Sequence, residues 1–210
     1  MMKIQPFEEY ADQYEDWFEK NYWVYQSELQ AVRGLLPKQG NGIEIGVGSG
    51  RFAGSLGIHL GVEPSSRMRS LAKARGIEVV DGTGENLPFK DSQFDFALMV
   101  TTICFLDDIK KAFKESHRIL KPNGHFIVGF IDKNSPVGKT YEKHKNENEF
   151  YKIATFYSVD EIVSYLKNAG FSNFIFNQTV FKDLDEIKDI EPIQSGYGEG
   201  SFVAINARKD

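Results

Sequence analysis

A glycine-rich stretch follows a short apolar segment in the first quarter of the chain. Residues 42–45 (GIEI) have the composition of a buried strand, and glycines stand at positions 46, 48 and 50 directly after them. Because glycine has no Cβ and tolerates positive φ, such a turn lets the backbone approach a bound ligand closely. The pattern predicts a nucleotide-binding turn between a first strand and a helix.

Glu44 distinguishes two classes of cofactor that use such a turn. Gly48, Gly50 and Ala53 satisfy the G-x-G-x-x-G/A pattern of nicotinamide and flavin enzymes, in which a pyrophosphate lies on the turn. The carboxylate of Glu44 would repel that anion, whereas it would attract a cofactor that carries an ammonium and a sulfonium. The residues therefore favour a positively charged nucleotide cofactor over a dinucleotide.

Three stretches resemble motifs of one family, the class I S-adenosylmethionine-dependent methyltransferases. The pattern E-x-G-x-G-x-G that begins at Glu44 resembles the first motif of that family. Residues 81–89 (DGTGENLPF) resemble the adenine motif G-D-A-E-x-L-P-F, with Thr83 where many relatives place an aspartate. Residues 115–124 are similar to the scaffold motif E-x-x-R-x-L-K-P-G-G, with Asn123 in place of a glycine. The resemblance covers residues 40–131.

This resemblance implies that S-adenosyl-L-methionine is the cofactor and that its ligands follow the first four strands. Glu63, at the end of the second strand, is expected to accept both ribose hydroxyls. Thr83 and Gly84 are expected at the adenine. The predicted cofactor-binding residues are Glu44, Gly46, Gly48, Gly50, Glu63, Pro64, Met68, Thr83, Gly84, Glu85 and Thr101.

Two aromatic-rich segments predict the acceptor side of the site. Residues 7–18 have helical spacing with one aromatic face, and related methyltransferases often use the segment before the first strand as a lid. Residues 133–157 break the alternation of strands and helices, and a connection of that length at a cleft edge is usually functional. The predicted substrate-binding residues are Tyr10, Tyr14, Thr102, Phe105, Tyr141, Tyr151 and Tyr197.

The expected chemistry requires no obligatory catalytic residue. The sulfonium is already a good leaving group, so the protein's main tasks are to align the reactants and to exclude water. If the acceptor must lose a proton, the candidate bases are Asp132, Tyr14 and His144. No cluster of residues has the spacing of metal ligands, so no metal is predicted. The single cysteine, Cys104, is interpreted as a small buried side chain.

The elements predict one α/β domain over residues 1–210. It is expected to be a Rossmann-like, three-layer sandwich with a mostly parallel, seven-stranded sheet whose last strand is antiparallel, preceded by an N-terminal helical lid. The second strand is expected over residues 56–62. We divide the chain into four parts: the lid (1–38), the cofactor-binding core (39–132), a substrate-cover insertion (133–158), and a C-terminal helix with an antiparallel strand pair (159–210).

Composition sets further expectations. The chain is 41% hydrophobic and 26% charged, with a net charge of −5 and no apolar run long enough to span a bilayer, so no membrane or nucleic-acid partner is expected. Residues 1–6 lack the apolar core of a signal peptide, so a cytoplasmic protein is expected, as a monomer or a homodimer. The predicted reaction moves a methyl group to an N, O, S or C nucleophile of a small molecule and releases S-adenosylhomocysteine. Two alternatives stay open: a non-catalytic S-adenosylmethionine-binding regulatory protein and a nicotinamide-dependent oxidoreductase.

Overall fold

Strands and helices alternate over residues 42–80 in the computed structural model. The model describes residues 3–210, so Met1 and Met2, at the start of the predicted lid, lie outside the described residues. The strands are β1 (Gly42–Ile45), β2 (Leu60–Val62), β3 (Glu78–Val80), β4 (Phe94–Val100), β5 (Leu120–Ile131), β6 (Phe171–Thr179), β7 (Gln194–Ser195) and β8 (Phe202–Lys209). The helices are α1 (Gln5–Glu9), α2 (Ala11–Lys20), α3 (Tyr22–Arg33), α4 (Arg51–Leu56), α5 (Ser66–Ala74), α6 (Ile109–Ile119), α7 (Pro136–Lys143) and α8 (Val159–Asn168). Within residues 3–210, no helix has the length and apolar character needed to cross a membrane.

The strands form one sheet in the order β3-β2-β1-β4-β5-β8-β6-β7. Strands β1 to β5 run parallel to their neighbours, whereas β8 lies antiparallel between β5 and β6. This confirms the predicted mostly parallel sheet with an antiparallel last strand. Over the described residues, the sheet has eight strands, one more than the seven predicted, because it includes the two-residue edge strand β7. Because β1 lies between β2 and β4, the chain order reverses at β1, and a crevice opens at the carboxyl ends of β1 and β4.

An apolar layer covers each face of the sheet. One layer contains Phe113 of α6, Leu166 of α8 and Met99 of β4. The other contains Val32 of α3 and Leu98, which neighbours Met99 in β4. Successive side chains of a strand point to opposite faces, so β4 contributes to both layers. The sheet is thus a close-packed scaffold that holds the crevice in place.

Local backbone geometry changes two predicted boundaries. The aromatic segment expected as one helix forms α1 and α2, which meet at Tyr10, because Tyr10 has non-helical dihedral angles (φ −117°, ψ 29°). Strand β2 begins at Leu60 instead of residue 56, because α4 continues to Leu56 and ends at Gly57 (φ +72°).

Candidate functional site

The crevice opens into a cavity of about 360 Å³, a size typical of small-molecule sites. One half of the cavity is formed by the glycine turn and by the loops that follow β2, β3 and β4. The other half is formed by α1, α2 and α3 and by the segment 136–157, which we call the cover. The first half includes Gly46, Gly48, Glu63, Pro64, Thr83, Gly84, Glu85, Thr101 and Thr102. The second includes Phe7, Tyr14, Trp17, Phe18, Glu28, Tyr141, Phe150, Tyr151 and Phe156.

The turn after β1 requires glycine at two positions. Gly46 and Gly48 have φ values of +70° and +53°, which side-chain-bearing residues rarely adopt. A Cβ at Gly46 would lie 2.3 Å from Cγ2 of Thr102, and a Cβ at Gly48 would lie 3.2 Å from the hydroxyl oxygen of Tyr14. The bare backbone of the turn therefore lies directly beneath α2, the helix that carries Tyr14.

Glu63 links the end of β2 to the glycine turn. Its Oε2 accepts a hydrogen bond from the Gly48 N–H (3.0 Å), and its Oε1 accepts one from the Ser65 N–H (2.9 Å). Burial raises the pKa of Glu63, although these two hydrogen bonds oppose the shift. The structure thus brings the carboxyl group expected at the ribose into the cavity wall beside the turn.

Two further acidic groups, the carboxyl group of Glu44 and the phenol of Tyr14, lie near the turn. Glu44 is buried below the turn, and its Oε2 has no hydrogen-bond partner among the described residues. Burial, with a contribution from the charge of Glu63, raises the pKa of Glu44 well above its usual range. Burial and the charges of Glu44 and Glu63 likewise raise the pKa of the Tyr14 phenol. A ligand that carries positive charge would be stabilised here, so the residues fit the cofactor that the sequence predicts.

The predicted adenine loop lines the cavity, but one of its side chains has a structural task. Thr83 and Gly84 form part of the wall. The carboxylate of Glu85 accepts hydrogen bonds from the N–H groups of Asp107 (2.8 Å) and Asp108 (3.2 Å). Glu85 therefore holds the chain just before α6.

The scaffold motif fixes the far end of this loop. Glu115 accepts a hydrogen bond from the Leu87 N–H (3.0 Å), and Arg118 donates to the carbonyl oxygens of Leu87 (3.0 Å) and Phe89 (2.8 Å). Glu115 and Arg118 also form an ion pair (2.7 Å). The motif of residues 115–124 thus supports the cavity wall from α6.

The chain after β4 turns sharply into the cavity. Thr101 has φ +50°, a strained conformation for a β-branched residue. The hydroxyl of Thr102 lies within hydrogen-bond distance of the Gly46 carbonyl oxygen (3.1 Å) and the Val100 carbonyl oxygen (2.9 Å). Both threonines, predicted at the cofactor and at the substrate, therefore lie beside the glycine turn.

Aromatic contacts close the second half of the cavity. The ring centroid of Phe150 in the cover lies 5.2 Å from that of Phe7 and 6.2 Å from that of Tyr14. Within the cover, the rings of Tyr141 and Tyr151 are 4.4 Å apart. The lid helices and the cover thus share one apolar roof, which would exclude water from a bound acceptor.

Glu28 is a buried acid in the wall of this aromatic half. It lies on α3 and is 3% exposed, and its side chain makes no hydrogen bond or ion pair with any of the residues that the structure describes. Burial raises its pKa to about 8. Sequence reasoning missed Glu28, although a signal was present: Val24 and Val32, four residues to either side, belong to the apolar face of the same helix.

Besides Glu44 and Tyr197, three predicted ligands lie outside the cavity lining. Met68 is fully buried within α5, and Tyr10 occupies the junction of α1 and α2. Gly50 contributes to packing, because a Cβ there would lie 3.2 Å from the Cα of Ala72, so that α4 and α5 approach closely. Each was expected in the cavity from its place in the chain alone, which does not determine the direction of a side chain.

The candidate bases do not come together in the cavity. Asp132 instead lines a separate depression, where its Oδ1 accepts a hydrogen bond from the Asn134 N–H (3.0 Å). The His144 side chain is 49% exposed beside Glu147. Tyr14 does line the cavity, but its raised pKa keeps the phenol protonated at neutral pH.

Two other predicted residues have separate environments. Tyr197 lines the depression that contains Asp132, where its ring packs 5.0 Å from that of Phe176 and its hydroxyl donates to Asp160 (3.3 Å). Cys104, expected to be buried, is half-buried in the cavity wall, where desolvation raises the pKa of its thiol to about 12, so the thiol is neutral. Among residues 3–210, no group of three or more His, Cys, Asp or Glu side chains is arranged to hold a metal ion.

Comparisons with known proteins agree with this geometry. Residues 43–128 match the model of a family described as a methyltransferase domain. A crystal structure from Thermotoga maritima, of an S-adenosylmethionine-dependent methyltransferase described as a possible histamine N-methyltransferase, is 52% identical. It superposes with a TM-score of 0.97 over 99% of this chain and 100% of that chain.

Two curated proteins are also similar. An uncharacterized protein of Methanocaldococcus jannaschii is 46% identical over 203 residues, which are 97% of this chain and 98% of that protein. The 2-phytyl-1,4-naphtoquinone methyltransferase of Nostoc is 29% identical over 172 residues, which are 74% of this chain and 75% of that protein.

Proposed function

Because this chain belongs to the class I S-adenosylmethionine-dependent methyltransferases, we propose that it methylates a small molecule enclosed in the aromatic half of the cleft. The family, the use of S-adenosylmethionine and the enzymatic nature of the protein are as the sequence predicts. The relatives support neither the regulatory protein nor the nicotinamide enzyme that the sequence left open. The observation that carries the proposal is the single cavity that extends from the glycine turn to the aromatic roof.

The first half of the cavity would hold the cofactor. We assign the ribose hydroxyls to Glu63, and the positively charged methionine end to the surroundings of Gly46, Gly48, Glu44 and Tyr14. Thr83 and Gly84 would contact the adenine, with Pro64 and Thr101 completing the wall. The cofactor supplies an electrophilic methyl group on a sulfonium, which leaves as neutral S-adenosylhomocysteine. The protein's own contribution is to bind, align and shield the reactants.

The second half would hold the acceptor. Its roof joins the lid, residues 1–38, to the cover within residues 133–158, which limits the size of the acceptor and excludes water. Its walls are mostly apolar and aromatic, so they favour an acceptor with a ring or a hydrocarbon body. The names of the relatives suggest two such classes, amines and naphthoquinones.

Calorimetric titration with S-adenosylmethionine and S-adenosylhomocysteine tests the cofactor assignment. We expect Glu63→Ala to bind both about 10- to 100-fold more weakly, because hydrogen bonds to a charged group contribute about 1.5–3 kcal/mol. Glu78→Ala is the matched control, since Glu78 is an exposed acid on the neighbouring strand β3. Unchanged affinity in Glu63→Ala would contradict the assignment of Glu63.

Methyl transfer itself is then measured with a panel of acceptors. The wild-type protein is incubated with S-adenosylmethionine and either arylalkyl amines or reduced naphthoquinones, and the products are identified by mass spectrometry. We expect S-adenosylhomocysteine release that depends on one of these acceptors. Binding of the cofactor without transfer to any of them would count against a small acceptor with a ring.

A further inference from the structure

We propose that Glu28 binds the positive charge of a protonated amine in the aromatic half of the cleft and accepts the proton that the amine loses before methylation. The inference rests on the proposed function, because it assigns a substrate class and a substrate-binding residue to the same cavity. It makes the acceptor a nitrogen nucleophile.

The surroundings of Glu28 differ from those of two other buried acids, Glu63 and Glu191. Glu63 accepts two backbone hydrogen bonds. Glu191, which is 6% exposed, accepts a hydrogen bond from the Phe181 N–H (2.6 Å) and pairs with Lys182 (3.2 Å). Glu28 has no comparable partner within residues 3–210 and lines a cavity. A buried carboxyl group without a partner costs free energy, which a cationic ligand in the cavity would offset.

Aromatic side chains line the same half of the cavity as this carboxyl group. Tyr14 and Trp17 come from α2, Tyr141 comes from α7, and Tyr151 and Phe156 come from the rest of the cover. The faces of such rings attract cations, most strongly when water is excluded. An aromatic enclosure with one carboxyl group therefore matches an ammonium better than a neutral ring such as a quinone.

The other ionisable groups that the structure describes in the lining of this half of the cavity provide no positive charge that pairs with the carboxyl group of Glu28. Burial raises the pKa of Tyr141 to about 12. Burial also raises the pKa of Tyr151, and the charge of Glu28 raises it further. Both phenols, like that of Tyr14, are therefore neutral at physiological pH. Among the described residues that line the cavity, the only basic side chain is Lys3, whose Nζ donates to the Leu106 carbonyl oxygen (2.7 Å).

The proton inventory of the reaction follows from these surroundings. With a pKa of about 8, the ligand-free carboxyl group is mostly protonated at pH 7, and an adjacent ammonium favours the carboxylate. Binding of the amine as R-NH₃⁺ therefore releases one proton from Glu28 to solvent.

Methyl transfer then needs the lone pair of the amine. The ammonium passes a proton to the Glu28 carboxylate, and the freed lone pair forms the N–C bond. The C–S bond breaks at the same time, and its electron pair stays on sulfur. The products are the methylammonium, S-adenosylhomocysteine and protonated Glu28, which is the form of the residue that began the cycle.

Calorimetry on the S-adenosylhomocysteine complex tests the inference without requiring turnover. Histamine, phenethylamine and the neutral 2-phenylethanol are titrated at pH 7 in two buffers of different ionisation enthalpy, which reports protons released. For the wild type, we expect the amines to bind more tightly than the alcohol and to release about one proton each. Glu28→Gln should bind the amines about 10- to 100-fold more weakly without proton release, because it removes a charged partner.

Two controls separate recognition from folding. Glu28→Gln should keep its affinity for S-adenosylmethionine within about twofold, and Glu191→Gln, a buried acid outside the cavity, should bind amines like the wild type. Glu28→Asp retains a carboxyl group and should restore proton release even where affinity is reduced.

Four outcomes are informative. The inference is supported if Glu28→Gln loses amine binding and proton release while Glu191→Gln keeps both. Wild-type amine binding with proton release in Glu28→Gln overturns it. Turnover of a reduced naphthoquinone by a protein that binds no amine also overturns it while leaving the proposed function intact, whereas no transfer to any acceptor removes both.

Discussion

At the residue scale, the site is built around carboxyl groups in places where a carboxylate is costly. Glu28, Glu44 and Glu63 are all nearly fully buried, and burial is the main cause of the raised pKa of each. None of the three forms an ion pair within the described part of the chain. Burying these carboxyl groups destabilises the ligand-free protein. Positive charge on a bound ligand would offset that destabilisation, so we interpret the three groups as a source of affinity for cations.

Glu28 provides a test of that interpretation through stability. Its pKa is about 8 in the folded state and 4.5 for an ordinary glutamate, so between these pH values the folded protein holds a proton that the unfolded chain has lost. Stability therefore falls as the pH rises through this window, and above it the folded protein must bury a carboxylate.

The variant Glu28→Gln removes this pH-dependent cost. In differential scanning calorimetry of the ligand-free protein, we expect it to raise Tm by about 4–8 °C at pH 9, equivalent to on the order of 2 kcal/mol. At pH 5 the gain should disappear. The exposed control Glu78→Gln should have no effect at either pH. An equal change at pH 5 and pH 9 would show that the effect arises from packing alone.

At the element scale, ion pairs anchor the lid to the cofactor half. Glu15 of α2 accepts hydrogen bonds from Arg51 at the start of α4 (2.7 Å) and from Arg75 after α5 (2.5 Å). Glu8 of α1 accepts one from the N–H of Ser66 at the start of α5 (2.5 Å). The side chains of Arg51 and Glu15 are only 19% and 18% exposed, so solvent screens this pair less than a surface pair.

We expect Glu15→Ala to weaken S-adenosylmethionine binding about 5- to 30-fold, equivalent to about 1–2 kcal/mol, in calorimetric titrations. The variant removes the carboxylate that Arg51 and Arg75 share, which frees α2 and moves Tyr14 away from Gly48. Asp12, also on α2, forms an ion pair with Arg67 of α5, and the side chains of Arg67 and Asp12 are 51% and 89% exposed. Asp12→Ala should therefore change the affinity for S-adenosylmethionine less than about twofold. Similar losses in both variants would mean that overall charge, not the anchor, controls affinity.

The two halves of the cavity differ in how well the sequence predicts them. The cofactor half depends on local signals, since Gly46, Gly48 and Glu63 each follow a short apolar strand and parallel strands present their carboxyl ends at one edge. The parallel and antiparallel strand directions and this part of the wall are therefore predictable from the sequence.

The acceptor half depends on contacts between distant segments. Phe7 meets Phe150 across more than 140 residues, and no local pattern specifies that meeting. Helical spacing places Glu28 on a buried face, but only the assembled lid and cover show that the face borders a cavity. Asp132 follows β5 as expected, yet the turn that begins with its bond to Asn134 directs it into the separate depression.

At the scale of the whole molecule, a densely packed sheet carries a loosely built roof. Strand β4 and residues 126–130 of β5 are almost entirely buried, and both strands pair with neighbours on both sides. The cover contains one eight-residue helix and two short 3₁₀ turns, and most of its side chains are exposed or half-buried. Local opening costs least where backbone hydrogen bonds are exposed and apolar contacts are few, so we expect ligands to enter through the roof.

Hydrogen exchange measured by mass spectrometry should separate these two parts. We expect S-adenosylhomocysteine alone to slow exchange in α2 and in residues 46–50, because Tyr14 packs over Gly48. Protection of the cover should require an acceptor amine as well, with about tenfold slower exchange over residues 136–157, because Tyr141 and Tyr151 line the acceptor half. Strands β4 and β5 should exchange slowly in every state, and β6 at the far side of the sheet should not respond. A cover protected fully by the cofactor product alone would mean that the roof closes before the acceptor arrives, and the acceptor would then need another way in.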